Sequence, residues 1–144
     1  MKKVISILLS LLYLLGVPMF AFAEEITSCS ICADSVPTPP GEQITVPCRI
    51  TENQGFTNFA ISLEYDAEKL ELISINTTDD QNPYLCGSMV STNIDWKNAE
   101  EKSCGYIVSA SENAVSGDGI LFTATFGVSQ DFDDSTTVTP VVHY

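Results

Sequence analysis

Alternation of apolar and polar side chains is the strongest signal in this chain, and it is clearest between residues 55 and 75. In the first half of that stretch every second residue is large and apolar, which is typical of a strand that buries one side. The expected inward positions are Phe59, Ile61, Leu63 and Tyr65, and the expected outward ones are Asn58, Ala60, Ser62 and Glu64. A polar corner at residues 66–69 follows, and apolar residues then resume at Leu70, Leu72, Ile73 and Ile75. Two strands joined by a short polar corner predict an antiparallel β-sandwich.

Six further strands are expected on either side of this stretch. Segments 26–36 and 42–51 precede it, separated by a proline-rich turn that cannot continue a sheet. Shorter apolar runs follow at 89–96, 104–111, 120–128 and 136–144. The clearest inward ladder is formed by Ile120, Phe122, Ala124, Phe126 and Val128. No helical period of any length is present, so the sequence predicts an all-β fold: an antiparallel β-sandwich of about eight strands.

The first 23 residues have a different character. Lys2 and Lys3 precede a nearly continuous apolar run, and Ala21-Phe22-Ala23 fits the cleavage pattern of a secretory signal peptide. We therefore expect residues 1–23 to be removed and residues 24–144 to form one domain, secreted to the extracellular space or the cell surface. The alternatives are an uncleaved membrane anchor and a lipoprotein attached at Cys29, which the two acids before that cysteine disfavour.

Charge narrows the class of partner. The chain has 19 acidic and 6 basic residues, for a net charge of −13, and loss of Lys2 and Lys3 would make it about −15. Such a charge disfavours nucleic acids and anionic membranes and favours a partner that is basic or carries calcium. The acids also leave two alternatives open, a glycosidase-like carboxylate pair and a calcium site. The calcium candidates are Asp131, Asp133 and Asp134, or Asp79 and Asp80. Because their spacing matches no calcium loop, we predict no metal or cofactor on this chain.

The cysteines and the histidine do not indicate catalysis. Five cysteines, an odd number, leave at least one thiol without a partner in the chain; they are Cys29, Cys32, Cys48, Cys86 and Cys104. The C-x-x-C pair lies in a segment expected to be extended, whereas a redox motif needs a helix N-terminus and a zinc site needs a second pair. Structural bridges or buried thiols are expected, with the pairing left open. His143 is the only histidine, so we predict that the protein is not an enzyme.

A carbohydrate-binding or cell-surface adhesion module is the alternative function for such a sandwich. These modules bind glycans by laying planar aromatic rings along one face. The available rings are Trp96, Tyr84, Tyr106 and Tyr144. Tyr106 is in phase with expected core residues and Trp96 also fits a core position, so the sequence does not predict an exposed row of rings.

Several blocks of sequence, in matching order and spacing, resemble the cohesin domain of cellulosome scaffold proteins. Residues 40–47 (PGEQITVP) resemble the family's PG-x-x-(V/I)-x-VP segment. Residues 55–71 resemble its G-(I/L)-x-N-x…YD…LE stretch, and residues 118–128 its DG-V…T-x-TF-x-V strand. The resemblance covers about residues 36–130. It implies a jelly-roll sandwich, related to bacterial carbohydrate-binding modules, that binds the dockerin modules of polysaccharide-degrading enzymes.

The resemblance also implies a site, on the flat outer face of strands three, five and six. Asn58, Asp95, Ser109 and Glu112 fall on family contact positions, Ala60 stands where many members have aspartate, and Ser62 follows on the same strand face. Calcium is expected on the dockerin and not on this chain. The family's ninth strand pairs beside the first, whereas this sequence stops after the eighth, so we expect the missing strand to come from a longer chain or from another one.

Overall fold

The computed structural model describes residues 29–79, 84–100, 102 and 104–143. These residues form eight strands: β1 (Ser30–Ala33), β2 (Gln43–Thr51), β3 (Phe56–Tyr65), β4 (Leu70–Asn76), β5 (Met89–Asn93), β6 (Cys104–Val115), β7 (Gly119–Val128) and β8 (Val138–His143). The prediction of an all-β fold with about eight strands is confirmed. The proposed signal segment 1–23 lies outside the described residues, and among those that are described no helix has the length and apolar character needed to span a bilayer.

The strands form two antiparallel sheets of four strands each. Sheet A has the order β1-β2-β7-β4, and sheet B has the order β5-β6-β3-β8. Only β1–β2 and β5–β6 are consecutive strands within one sheet. At all the remaining connections the chain crosses from one sheet to the other. These crossings give the sandwich its jelly-roll character. They also place β3, β5 and β6 in one sheet, as the family resemblance implied.

The polar corner at residues 66–69 carries the chain from sheet B to sheet A. The main-chain N–H groups of Lys69 and Leu70 donate to the carbonyl oxygen of Asp66, at 3.1 and 2.9 Å. The N–H of Glu68 donates to the Asp66 side chain at 3.0 Å. Aspartate favours such turns because its side chain can replace a main-chain hydrogen-bond partner. As a result β3 and β4 lie in different sheets and do not pair with each other.

The core lies between the inner faces of the two sheets, and the predicted alternation along β3 is confirmed. Ile61 and Leu63 are fully buried, and they pack with Ile107 of β6 against Phe122 and Phe126 of β7. Tyr65 joins the layers, since its ring packs edge-on against the Phe126 ring at a centroid distance of 5.2 Å. A Cβ atom on Gly105 would collide with the end of the Leu72 side chain, so glycine lets that side chain pack directly against the β6 backbone.

One inward position was predicted wrongly. The pairing of β2 with β7 shifts between Cys48 and Arg49, where β7 carries an extra residue. A β-bulge of this kind changes the phase of the alternation. Leu121 is therefore fully buried, while Ile120, the expected inward residue, is only half-buried.

All five cysteine thiols are free in the structure, and they differ in environment. Cys29 and Cys32 are exposed, whereas Cys48 and Cys104 are buried. Cys86 is half-buried and its thiol donates to the carbonyl oxygen of Leu121 at 2.7 Å. Burial raises the pKa of Cys48 to about 12 and that of Cys86 to about 11, because a thiolate is poorly solvated there. These two thiols are therefore protonated and unreactive at neutral pH.

Candidate docking face

The outer face of sheet B is built by strand pairing. Ala110 of β6 lies opposite both Asn58 of β3 and Met89 of β5, and Val108 lies opposite Ala60. Residues directly opposite in an antiparallel pair have their side chains on the same face. The residues that meet on this side are Asn58, Ala60, Met89, Ser91, Val108 and Ala110. We call this group the open half of the outer face.

The open half exposes more apolar surface than the mostly polar set of predicted contact residues implied. Met89 is 60% exposed and Val108 is 38% exposed, and both belong to the few large apolar side chains that the described surface leaves in solvent. Half-buried Ala60 lies beside Val108. A contiguous apolar patch on the solvent side of a sheet does not contribute to the core, and such patches commonly mark binding surfaces. Neither Met89 nor Val108 was among the predicted contacts.

A cluster of three rings covers the next part of the same face. Trp96 stacks on Tyr106 with a centroid distance of 4.9 Å and an interplanar angle of 29°. The His143 ring lies 6.1 Å from Trp96 and 5.6 Å from Tyr106. His143 Nε2 is hydrogen-bonded to Ser62 Oγ at 2.9 Å. We call Ser62, Trp96, Tyr106 and His143 the capped half, and it adjoins the open half directly, because His143 of β8 lies opposite Ala60 of β3.

The ring cluster corrects three expectations. Tyr106 is not in phase with the core, because it lies opposite Ser62 on the outer face. Trp96 is half-buried on that same face through its stacking on Tyr106. Ser62 was expected to be an exposed contact, but only 2% of it is accessible and His143 occupies its hydroxyl.

Ser109 was also expected on the docking face, and this prediction is wrong. It lies opposite Phe59, on the inner side of the sheet, and is fully buried. Its Oγ accepts a hydrogen bond from the main-chain N–H of Gly87 at 2.7 Å. A Cβ atom on Gly87 would collide with the carbonyl of Ala110, so glycine allows the segment before β5 to approach β6. Ser109 thus holds that segment and does not reach solvent.

The remaining predicted contacts are split between the two ends of sheet B. Asn58 and Glu112 are exposed at one end, where Glu112 follows Ala110 by two residues along β6. Asp95 is exposed at the other end, where it lines a cleft with Tyr65. Asn58 and Tyr65 are seven residues apart on β3, or roughly 23 Å at about 3.3 Å per residue. The structure therefore places Asn58 and Ala60 at one end of sheet B, with Glu112 in the irregular stretch of β6 beyond Ala110, and separates all three from Asp95.

The basic residues lie away from the open half. Within the part of the chain that the structure describes, Lys69 and Lys102 line a cleft at the Tyr65 end of sheet B, and Lys97 lines a second cleft at that end. Arg49 lies on sheet A, where its Nε donates to Asp34 at 2.7 Å. Glu112 is exposed on β6, two residues beyond Ala110, which lies opposite Asn58. The electrostatic potential of the open half is therefore expected to be negative.

Among the described residues, no three acidic, histidine or cysteine side chains are grouped as metal ligands would be. Asp131, Asp133 and Asp134 are exposed in the turn between β7 and β8. Asp80, the other calcium candidate, lies outside the described residues.

The fold resembles solved cohesin structures. One is a type I cohesin–dockerin complex from Clostridium thermocellum containing the OlpA cohesin: TM-score 0.63, 20% identity, covering 80% of this chain and 82% of that one. Another is the seventh ScaB type I cohesin of Pseudobacteroides cellulosolvens: TM-score 0.63, 16% identity, covering 79% and 74%. A third is a non-cellulosomal cohesin of the archaeon Archaeoglobus fulgidus: TM-score 0.59, 23% identity, covering 81% and 78%. At these identities the likeness shows the fold.

The family is shown by the sequence. No curated protein matches the chain. A family model described as the cohesin domain, however, matches residues 30–142, which include every strand of both sheets. This chain belongs to the cohesin domain family.

Proposed function

We propose that this protein is a non-catalytic docking module that binds dockerin modules of polysaccharide-degrading enzymes through the outer face of sheet B. The observation that carries the proposal is the exposed apolar surface of Met89 and Val108 on a cohesin domain. Contiguous exposed apolar patches that are rimmed by polar residues commonly mark protein–protein interaction sites. Two of the similar solved structures are type I cohesin–dockerin complexes from Clostridium thermocellum, which supports the same partner class here.

The proposed interface has the parts that a protein–protein interface needs. A stable complex buries about 1,200–2,000 Å² in total, with an apolar centre and a polar rim. Met89 and Val108 provide the centre, and Asn58 and Glu112 provide hydrogen-bonding groups at its border. Full burial of an exposed methionine contributes about 1.5–3 kcal/mol, and covering the 60% of Met89 that is exposed would recover part of that.

Secretion and polysaccharide breakdown complete the proposal. The leader-like segment 1–23, with its Ala21-Phe22-Ala23 site, supports export of the domain. Dockerins of the family are expected to carry calcium, and an acidic cohesin surface suits a partner whose contact residues are basic. Electrostatic attraction of this kind increases the association rate and weakens with salt.

The carbohydrate-binding alternative is not favoured by the arrangement of the rings. A glycan platform needs aromatic faces that are exposed side by side. Trp96 and Tyr106 instead stack on each other, and His143 packs against both. Trp96 and Tyr106 therefore each have one ring face covered by the other, and that face is not available to a glycan.

The test is titration calorimetry of the protein against a panel of calcium-loaded dockerins, repeated with a chelator. We expect binding with calcium and its loss with chelator. The Asn58→Ala plus Glu112→Ala variant should bind at least about tenfold more weakly. The matched control is Gln43→Ala plus Glu71→Ala, which removes one amide and one carboxylate from the outer face of sheet A, on either side of Gly127. Absence of binding to every dockerin, or loss of binding only in the sheet A variant, would contradict the proposal.

A further inference from the structure

Each sheet of the sandwich ends in two edge strands, and these four edges differ in how well they are protected against pairing with a further strand. The edges of sheet A are β1 and β4, and those of sheet B are β5 and β8. An unpaired edge presents free main-chain N–H and C=O groups to solvent. Folded proteins usually interrupt such an edge with a charge, a proline, a bulge or a very short strand.

Three of the four edges carry a feature of this kind. β4 has the carboxylate of Glu71 and a bulge between Leu72 and Ser74. β8 contains Pro140, which has no N–H to donate to a neighbouring strand. β1 has only four residues, and its Ile31 packs against the core. Pairing of a further strand with these edges is therefore disfavoured.

β5 carries no charge, proline or bulge. Its five residues have the sequence MVSTN, and its pairing with β6 is regular along the whole strand. Of the eight strands that the structure describes, β5 is the one in which every residue is exposed. Val90 lies opposite Ser109, on the inner side of sheet B, and is nevertheless 36% exposed, because sheet A leaves it partly in solvent. β5 thus has two solvent-facing sides and an unprotected edge.

The distribution of charge indicates which kind of strand can pair with this edge. No charged residue occurs between Asp80 and Asp95, and this is the longest uncharged stretch of the chain after residue 23. Two copies of a protein with a net charge of −13 repel each other, and the repulsion is smallest where uncharged segments meet. A basic strand would find no carboxylate on β5 to pair with. Charge therefore favours a second copy of β5 as the occupant.

We infer that β5 is a self-association edge, at which two copies of the chain pair their β5 strands antiparallel about a two-fold axis at Ser91. The pairing joins the two copies of sheet B into one eight-stranded sheet. Met89 then lies opposite Asn93 of the second copy, and Val90 lies opposite Thr92 of the second copy. Opposite residues in an antiparallel pair share a face, so this register keeps inner and outer residues on their own sides. The outer faces of both copies remain open to solvent.

The two-fold register is complementary in side-chain shape and in charge. It brings the β-branched side chains of Val90 and Thr92 together twice, and such pairs stabilise sheets. Beyond the strand, Asp95 comes opposite Gly87 of the second copy, so these two copies do not place carboxylates directly opposite each other. Five residues per copy bury less than the roughly 1,200 Å² of a standard stable interface, so the dimer is weak and depends on concentration. The inference stands apart from dockerin binding, because it concerns the edge of the sheet and not its face.

Sedimentation equilibrium with charged variants tests the pairing. The average mass of the unchanged protein should rise from monomer towards dimer between about 10 µM and about 1 mM. Ser91→Glu and Ser91→Lys each place two like charges at the two-fold axis, so each should stay monomeric, whereas their equal mixture should dimerise. Ser30→Glu, a carboxylate at an exposed position of β1, is the matched control and should dimerise like the unchanged protein.

Thermal unfolding confirms that each variant is folded. An unchanged protein that is monomeric at about 1 mM would overturn the inference. So would a Ser91→Glu variant that dimerises as strongly as the unchanged protein, or a mixture of the two Ser91 variants that remains monomeric.

A second measurement needs no variant. Hydrogen exchange at the main-chain amides of residues 89–93 should slow as the concentration of the protein rises, whereas exchange in β8, the other edge of the same sheet, should not change. Slower exchange in β8 and not in β5 would contradict the assignment.

Salt separates this association from the docking proposal. Raising the salt concentration from about 0.05 M to about 0.5 M should strengthen the dimer about threefold, because it screens the repulsion between two acidic copies. Dockerin binding is expected to weaken under the same change. A dimer that weakens with salt would contradict pairing through an uncharged edge, and failure of every dockerin to bind would leave the dimer unaffected.

Discussion

The outer faces of the two sheets follow the same alternation but have opposite character. On sheet A, Thr45 of β2 lies opposite Thr125 of β7 with their hydroxyl oxygens 3.3 Å apart, and Arg49 pairs with Asp34 nearby. On sheet B, the outer face instead exposes the apolar side chains of Val108 and Met89. Both faces are solvent-facing, so core formation does not explain the difference. The polar face satisfies its own hydrogen bonds, and the apolar face is left with surface that only a partner removes from water.

Among the described residues, sheet A also exposes one large apolar side chain, Ile73, and this side chain packs against its own sheet. Ile73 is 38% exposed, lies at the bulge of β4 and packs over Gly127. It therefore covers a gap in its own sheet. Met89 lies on an edge strand, with 60% of its surface in solvent.

The contrast between the two faces would be contradicted most directly if the same substitution changed dockerin affinity equally on both. Val108→Arg on sheet B should weaken dockerin binding by about 100-fold, since it places a cation in the apolar centre. Thr45→Arg on sheet A should leave affinity within about twofold. Titration calorimetry measures both, with circular dichroism melting curves as the folding control. Equal losses would show that binding does not distinguish the faces.

The second prediction concerns stability. Trp96→Ala should lower the free energy of unfolding by about 2 kcal/mol, because it removes the stack on Tyr106 and uncovers Ser62. Ile73→Ala on the other face should cost no more than about 1 kcal/mol, since part of that side chain is already in water. Urea denaturation at pH 7 measures both values. A smaller effect at Trp96 than at Ile73 would show that the ring cluster does not stabilise the sheet.

The third prediction concerns how the stability of the protein depends on pH, through a buried thiol on the inner side of sheet A. The Cys48 thiol has a pKa raised from 9.0 to about 12, chiefly by burial. Above pH 9 the unfolded chain releases this proton and the folded chain retains it, so stability falls as pH rises from 9 towards 12. At pH 10 the loss from this thiol is about 1.4 kcal/mol.

Cys48→Ala should remove that part of the alkaline slope, measured by urea denaturation with a reductant at pH 8 to 10. The matched control is Val46→Ala, which also opens space at a buried position of β2 but has no titrating group. It should lower stability by a similar amount at every pH. An unchanged slope in Cys48→Ala would contradict the assignment.

The smallest expected effect lies on the polar face. Arg49→Ala should cost about 0.5 kcal/mol, because the ion pair with Asp34 is partly exposed and is screened by solvent. The same variant should leave dockerin affinity unchanged. A loss above about 2 kcal/mol would mean that the outer face of sheet A contributes more to stability than exposed ion pairs normally do.

The sequence predicted the strands well and the site less well, for a physical reason. The period of two along β3 is a local property, and Ile61 and Leu63 are buried as it required. The family blocks likewise implied the sheet whose outer face we propose for docking. The choice of individual contacts was poorer, because Ser62 was taken as exposed from its strand face and Ser109 from its family contact position, and both are buried. Whether an outward residue is accessible depends on what crosses over it.

The local pattern of side chains is sufficient to specify which stretches become strands and, along β3, which side turns inward; in β7 the bulge in the pairing with β2 changes the phase, so there the neighbouring strand decides. Which outward residues meet is set by pairing between distant segments. His143 reaches Ser62 across 81 residues of chain, and Met89 lies near Val108 only because β5 pairs with β6. No local period encodes those contacts. The capped and open halves therefore exist only in the folded sandwich.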